Sequence, residues 1–462
     1  MRRIGYRVID AIVERFEHIE SLPAVRVGKG AELGKKLHRP IPEDGREFDD
    51  ILDDVLRDVM PYSVTLAHPR FFAFISSPSN FISAMADALS SGFNPFVGTW
   101  LGGSGPSALE LVTVDWLREM CGYPETGGGL FVSGGSSANL TSLAVARHTK
   151  APAGPAGCTV YYSDQTHYSN ERAFRAVGFL REQHRVIPSN RRYEMNVDVL
   201  RETIRADIDA GNRPVCVVAT AGTTNVGAVD DLAAISRVCR DHDMWFHVDG
   251  AYGAAAAISP ALRPAVAGIA LADSVSMDPH KWLFQPFEIG CVLLRDASLL
   301  RDTYQIMPDY LKDVHGLGEV NFADSGIQLT RGFRALKLWM SLQYYGAKRF
   351  RAAVERGVHL AEHADRVLRE RPRWSIVTCA QLGIVTFRYE PEAWKAKDVS
   401  LLNDEIVAEL IRDGFAMLSS TVLGGYTALR LCTINPSTMP RHIEETIDKL
   451  EEIADSIVSR GD

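Results

Sequence analysis

The chain has 462 residues, 46% of them hydrophobic and 23% charged. This is ordinary globular composition, with chain enough for about three domains, and it excludes a disordered, collagen-like or coiled-coil protein. Fifty basic against 58 acidic residues leave a net charge of −8, so no basic excess invites a nucleic acid or an anionic membrane.

The first twenty residues, MRRIGYRVIDAIVERFEHIE, are charged throughout and lack the apolar centre of a signal peptide. Ile4, Val8, Ile12 and Phe16, with Ile9 and Val13 beside them, form one apolar stripe of a helix. Prolines at 23, 40 and 42 then break regular structure, and a second helical pattern covers residues 48–59. An amphipathic helix followed by a loop cannot close a core alone. Residues 1–80 are therefore expected to pack on another domain or another subunit. The longest uncharged run, residues 88–109, carries five glycines and two prolines, which reads as loop and not as a membrane span.

From 81 to 340 short β-branched or apolar runs alternate with helix-length stretches. The runs include residues 159–162 (TVYY), 215–220 (VCVVAT), 245–248 (WFHV), 274–277 (SVSM) and 291–294 (CVLL), with a helical pattern over 231–241. The alternation predicts an α/β domain with a mostly parallel sheet, and ligands on such sheets gather at the carboxyl ends of strands. Residues 341–462 read as a smaller α+β domain. A helix is expected over 346–370, strands over 384–389 and 429–434, and a last helix presents Ile443, Ile447, Leu450, Ala454 and Ile457 on one face. Seven cysteines lie scattered without Cys-x-x-Cys or Cys/His spacing. They read as reduced thiols in a cytoplasmic protein with no bound metal.

Four segments carry chemistry. In SVSMDPHKW a strand runs into Asp278, Pro279, His280 and Lys281. Lys281 is either an ordinary surface lysine or a Schiff-base lysine whose pocket lowers its pKa. In WFHVDGAYG a buried strand ends in Asp249. That residue is either a turn or cap aspartate or the partner of a pyridinium nitrogen, with Gly250 and Ala251 leaving room for a flat ring. In FVSGGSSANL a strand meets two glycines, Ser136 and Ser137, and then a helical pattern. It is either a plain capped helix or an anion cradle of free N–H groups and hydroxyls; it fits neither GxGxxG nor the Walker pattern. In SDQTHYSNERA, His167 is either a packed histidine or an imidazole stacked on a cofactor ring.

Phosphate cradle, stacking histidine, carboxylate and lysine in that order, each at a strand end, resemble the group II pyridoxal-phosphate decarboxylases, and among them most the aromatic-L-amino-acid decarboxylases. The likeness also takes in HPRFFAF, DWL, ATAGTTNVGAVDD, RGFRALKLW and LRLCTINPST. It implies the aspartate aminotransferase-like fold of type I, pyridoxal 5'-phosphate as cofactor and a homodimer in which the amino-terminal helices pack across the two subunits. It gives Lys281 the cofactor aldehyde, Asp249 the ring nitrogen, and His167 and Ala251 the two ring faces. Ser136, Ser137 and His280 fall to the phosphate. Thr224 lies near the ring hydroxyl, and Asp278, where some relatives have Asn, orients the turn. Residues 306–321 read as a mobile loop, in which Tyr310 of PDYLK matches the tyrosine that protonates the substrate carbon. Relatives with phenylalanine there tend toward aldehyde formation.

For the substrate, Phe74, Ile75 and Ser76 in FFAFISS and Phe96 and Trp100 in FVGTW match places that line the family's side-chain pocket, the second stretch reaching the neighbouring subunit's site. Walls without a basic residue suit an aromatic side chain better than a second carboxylate. Leu66 falls where animal relatives carry a pocket tryptophan, and Ser76 and Ser77 where they have Pro-Thr. The expected function is decarboxylation of an aromatic L-amino acid to amine and carbon dioxide. The alternatives are an aldehyde-forming oxidative decarboxylase and a decarboxylase of a non-aromatic amino acid.

Overall fold

Among the described residues, seven strands build the central sheet. They are β1 (Gly128–Val132), β2 (Cys158–Ser163), β3 (His184–Ile187), β4 (Arg213–Thr220), β5 (Trp245–Asp249), β6 (Ser274–Met277) and β7 (Gly290–Leu294). Their order is β1-β7-β6-β5-β4-β2-β3. The pairs β3/β2, β2/β4, β4/β5 and β5/β6 are parallel, and β7 runs antiparallel to both its neighbours. Every residue of β2, β5, β6 and β7 is buried, and β7 accordingly reads as a continuous apolar run. The computed structural model describes residues 1–75, 77–306, 319–391 and 396–461, with the backbone alone at 396–398 and 461.

The chain divides into two units. The larger holds residues 75–359 and 380–383 and contains the sheet just described. Its core joins Leu143, Val145 and Ala146 of the helix Gly135–Lys150 to Val160, Val218 and Val292 of the strands. The other unit holds residues 1–74, 360–379 and 384–462. Its strands β8 (Trp374–Gln381), β9 (Ile384–Tyr389), β10 (Ser419–Leu423) and β11 (Tyr426–Cys432) form a sheet in the order β10-β11-β9-β8. Ile443, Ile447, Leu450 and Ala454 of the last helix, Pro440–Gly461, pack into its core as their spacing predicts. The helix Arg2–Glu17 buries none of its residues. Arg3 pairs with Asp49, and Arg7 with Asp49 and Asp53, on the helix Phe48–Asp58. No helix among the described residues is long and apolar enough to cross a membrane.

Three expectations are corrected. Residues 88–109 are largely helical, in Phe81–Phe93 and Trp100–Met120. Thr99 caps the second helix by accepting the N–H of Gly102 at 3.2 Å. Gly103 leaves helical geometry, and Pro106 follows just past the break, where a missing N–H costs little. The helix expected from 346 begins at Ala335, and Gly346, at φ 74°, interrupts it. The strand expected at 429–434 begins at Tyr426, because Gly424 and Gly425, at φ 60° and 85°, close a two-residue hairpin directly before it.

One buried ion pair ties three pieces of the large unit together. Arg331 Nη2 donates to Glu110 Oε1 at 2.5 Å and to the Phe131 carbonyl at 2.6 Å, and Nη1 donates to the Val97 carbonyl at 3.1 Å. The Phe131 N–H also donates to Glu110 Oε1, at 3.0 Å. Removing one partner of such a pair strands the other charge. Arg331→Met is therefore expected to lose about 3–5 kcal/mol of stability, measured by denaturant unfolding. A loss below about 1 kcal/mol would mean that the Arg331 contacts do not hold these pieces together.

Candidate active site

A polar stripe on β5 and β6 founds the site. Side chains alternate along a strand, so Trp245, His247 and Asp249 share one face. The register pairs His247 with Ser274 and Asp249 with Ser276. Against this stripe lies the start of the Gly135–Lys150 helix, through the buried Asn139.

Asp249 ends β5 and is only 5% exposed. Its Oδ2 accepts from Asn139 Nδ2 at 2.9 Å and from Asn170 Nδ2 at 2.6 Å. Its Oδ1 accepts from the Ala251 N–H at 3.2 Å and from Ser276 Oγ at 3.3 Å. Burial pushes the carboxyl pKa up, but Lys281, His247, the Asn170 hydrogen bond and His167 outweigh it and hold the group below the usual carboxylate range. Asp249 is a buried anion and not a cap.

Lys281 follows β6 by one turn. Its Nζ lies 3.0 Å from Asp278 Oδ2, and Ser77 Oγ donates to its backbone carbonyl. Asp278 is buried beside the glycine turn. A Cβ on Gly135 would come within 2.7 Å of Asp278 Oδ2, and one on Gly134 within 3.1 Å of His280 Cε1. The backbone there can approach the turn only because both residues are glycine. The helix beginning at Gly135 leaves its first N–H groups without intrahelical partners, beside the hydroxyls of Ser136 and Ser137.

His167 caps the helix Tyr168–Ala176. Its Nδ1 accepts from the Ser169 N–H at 3.3 Å and meets Ser169 Oγ at 2.8 Å. Burial, followed by the charge of Lys281, lowers its pKa against the pull of Asp249, which favours a neutral ring.

These groups line one cavity of about 400 Å³ at the carboxyl ends of the strands. Ser136, Ser137, His167, Thr224, Asp249, Ala251, Asp278, His280 and Lys281 all border it. Of the residues matched to the substrate pocket, Ile75, Phe96 and Trp100 belong to the same unit but do not line this cavity. Phe74 is exposed and belongs to the other unit. Ser76 and Tyr310 lie outside the described residues. Sequence reasoning missed Asn139, Asn170, Ser276 and His247. The only signal for them was polarity inside otherwise apolar or helical runs, and that does not say where a side chain points.

The cavity supplies N–H and hydroxyl donors for a phosphate, a buried anion for a basic ring nitrogen and an amine for an aldehyde. Pyridoxal 5'-phosphate carries all three complementary groups on one small ring, and the volume suits it. Fold and site together define a pyridoxal phosphate enzyme. Residues 31–390 match the family described as the pyridoxal-dependent decarboxylase conserved domain, and the chain belongs to that family. It is a pyridoxal phosphate-dependent amino-acid decarboxylase. An aromatic-L-amino-acid decarboxylase of Bacillus atrophaeus is 42% identical over 99% of this chain and 96% of its own length. A phenylacetaldehyde synthase of Arabidopsis thaliana is 29% identical over 100% and 97%. The crystal structure of Oryza sativa TDC with PLP and tryptamine superposes with a TM-score of 0.94 at 29% identity, covering 99% of this chain and 98% of that one.

Gly135→Ala tests the cradle. A Cβ there would meet the Asp278 Oδ2 at 2.7 Å and the Ala251 Cβ at 3.1 Å, so stability should fall by about 1–3 kcal/mol. The added methyl displaces Asp278, and the affinity for pyridoxal phosphate, read by absorbance titration of the apoprotein, should fall about tenfold or more. Unchanged affinity would show that the cofactor does not depend on this close approach.

Proposed function

We propose that this chain decarboxylates aromatic L-amino acids to the corresponding amines. Family membership carries the reaction. The aromatic preference is supported by the full-length likeness to the Bacillus enzyme and by the apolar and aromatic residues of the FFAFISS and FVGTW segments. In this reading Phe74, Ile75, Ser76, Phe96 and Trp100 form the side-chain pocket, Phe96 and Trp100 serving the neighbouring subunit's site.

When bound, pyridoxal phosphate supplies a ring that takes up the electron pair left as the α-carboxylate departs. Lys281 would hold its aldehyde and Asp249 its ring nitrogen. The helix start at Gly135, with Ser136, Ser137 and His280, would hold its phosphate. His167 and Ala251 would flank the ring, Thr224 would lie near its hydroxyl, and Asp278 would steady the turn that carries Lys281. Asp249, kept ionised by the charge of Lys281 and by hydrogen-bond donors that include Asn170, would hold a proton on the ring nitrogen and so favour electron withdrawal through the ring. His167, held neutral and keyed by Ser169, offers a flat face without competing for the substrate's carboxylate. Tyr310 then delivers a proton to the substrate's α-carbon.

A homodimer belongs to this proposal. The helix Arg2–Glu17 has a sequence stripe of apolar residues yet buries none of them, so a second subunit is the natural cover. Residues 1–80 are read as the segment that packs across it, 81–340 as the cofactor domain and 341–462 as the small domain. All seven cysteines are unpaired and six are buried, which suits a reducing, cytoplasmic setting.

Incubation with a panel of L-amino acids, products identified by mass, should give carbon dioxide and the amine of tryptophan, tyrosine, phenylalanine or dopa. Preference for glutamate or aspartate would overturn the aromatic reading. The choice between amine and aldehyde is tested separately. Tyr310→Phe should divert product to the aldehyde with ammonia and peroxide, assayed aerobically. Full amine yield without peroxide would remove Tyr310 from proton delivery.

A further inference from the structure

We propose that His247 is a positioning residue for this site: it fixes the amide of Asn139, and through that amide it aligns both Asp249 and His167. This rests on the reading of Asp249 and His167 as the groups that face the cofactor ring.

Asn139 is the junction. Its Nδ2 donates to Asp249 Oδ2 at 2.9 Å and to Ser169 Oγ at 3.0 Å, which uses both amide protons. Ser169 Oγ then has its own proton for His167 Nδ1, 2.8 Å away. The Asn139 carbonyl is left as an acceptor, 3.1 Å from His247 Nε2, so that nitrogen carries the imidazole proton. His247 Nδ1 is therefore bare and accepts from Ser274 Oγ at 2.8 Å. The Ser274 oxygen accepts the indole N–H of Trp245 at 2.9 Å. Every donor finds one acceptor, and the chain of bonds has a single direction.

His247 is fully buried, and burial pushes its pKa down to about 4. It is thus a neutral donor through the ordinary pH range, and an imidazolium would break the Ser274 step by donating from Nδ1 as well. Without the Nε2–H, the Asn139 carbonyl is buried and unpaired. The amide can regain a partner only by turning away from Asp249 and Ser169. Asp249 would then lose one of its two amide donors, and Ser169 Oγ the donor that turns its own proton toward His167 Nδ1.

The titratable groups facing Asp249 are Lys281 from the turn after β6, His167 from the segment after β2, and His247 from β5 itself, and Asp278 borders the same cavity. With Lys281, Asp278 and His167 unchanged, a carboxylate that loses a donor protonates at higher pH. Cofactor affinity that depends on the anion is present above the Asp249 pKa and lost as pH falls through it. That loss should therefore begin at higher pH when His247 cannot donate.

Pyridoxal phosphate binding to the apoprotein, followed by absorbance from about pH 5 to pH 9, tests this. His247→Phe should weaken binding about tenfold at the acid end and less at the alkaline end, and lower kcat with the substrate KM unchanged. His247→Gln keeps an N–H donor and should recover most of both. A His247→Phe protein that binds the cofactor as the native one does at every pH overturns the proposal. Asp249→Ala separates the underlying reading: if it too binds normally, the placement of Asp249 at the ring nitrogen fails, whereas if it binds weakly and His247→Phe does not, the relay alone fails. Should His247→Phe not fold, nitrogen-15 spectra of His247 in the native holoenzyme decide. A neutral ring protonated at Nε2 is the expected result, and a ring protonated at Nδ1 or at both nitrogens overturns the relay.

Discussion

A carboxylate in a nearly dry interior is the constraint on which the rest of the site depends. Moving such an anion out of water costs several kcal/mol even after the protein relaxes. Asp249 is 5% exposed and yet its pKa lies below the usual range. The opposing interactions must therefore exceed the burial cost. Two side-chain amides converge on one oxygen, a backbone N–H and a serine hydroxyl meet the other, and bonds of this kind to a charged group contribute roughly 1.5–3 kcal/mol each. The amine of Lys281 is the leading favourable charge.

That compensation is possible because of where the sheet places its polar residues. A strand buried on both faces ordinarily admits none. β5 and β6 admit His247, Asp249, Ser274 and Ser276 because the two strands are in register, and each polar side chain finds a partner across the pair or on the helix above. A shift of one residue would turn the whole stripe to the opposite face. Register, set by apolar packing far from the chemistry, therefore decides whether Asp249 has donors at all.

This explains which parts could be read in the chain of letters. Lys281, Asp249 and the Gly134–Gly135 turn stand at strand ends, where a change from apolar run to Gly, Ser or Asp marks both the boundary and the site. The nine residues that the family resemblance assigned to the cofactor border a single cavity. Asn139 looked like one more residue of a helix and His247 like a flaw in an apolar strand, since their meaning depends on contacts between segments more than a hundred residues apart. Elsewhere composition misled. Glycines and prolines in 88–109 read as loop, but Thr99 caps a helix there, and Gly103 and Pro106 are absorbed at a break. β3, four residues with only Ile187 buried, has no pattern strong enough to see.

The division of labour within the chain follows from the same geometry. Every group matched to the cofactor belongs to the larger unit, and all of them line one cavity. Ile75, Phe96 and Trp100, matched to the substrate's side chain, do not border that cavity in a single chain. Reaction class thus depends on a small set of buried contacts that tolerate little change, since each donor lost exposes a neighbour as an unpaired buried group. In the proposed reading substrate choice depends on apolar walls, where one side chain can replace another at a cost of about 1–3 kcal/mol in discrimination. A scaffold built in this way can keep its carboxylate, amine and histidine fixed while its walls vary.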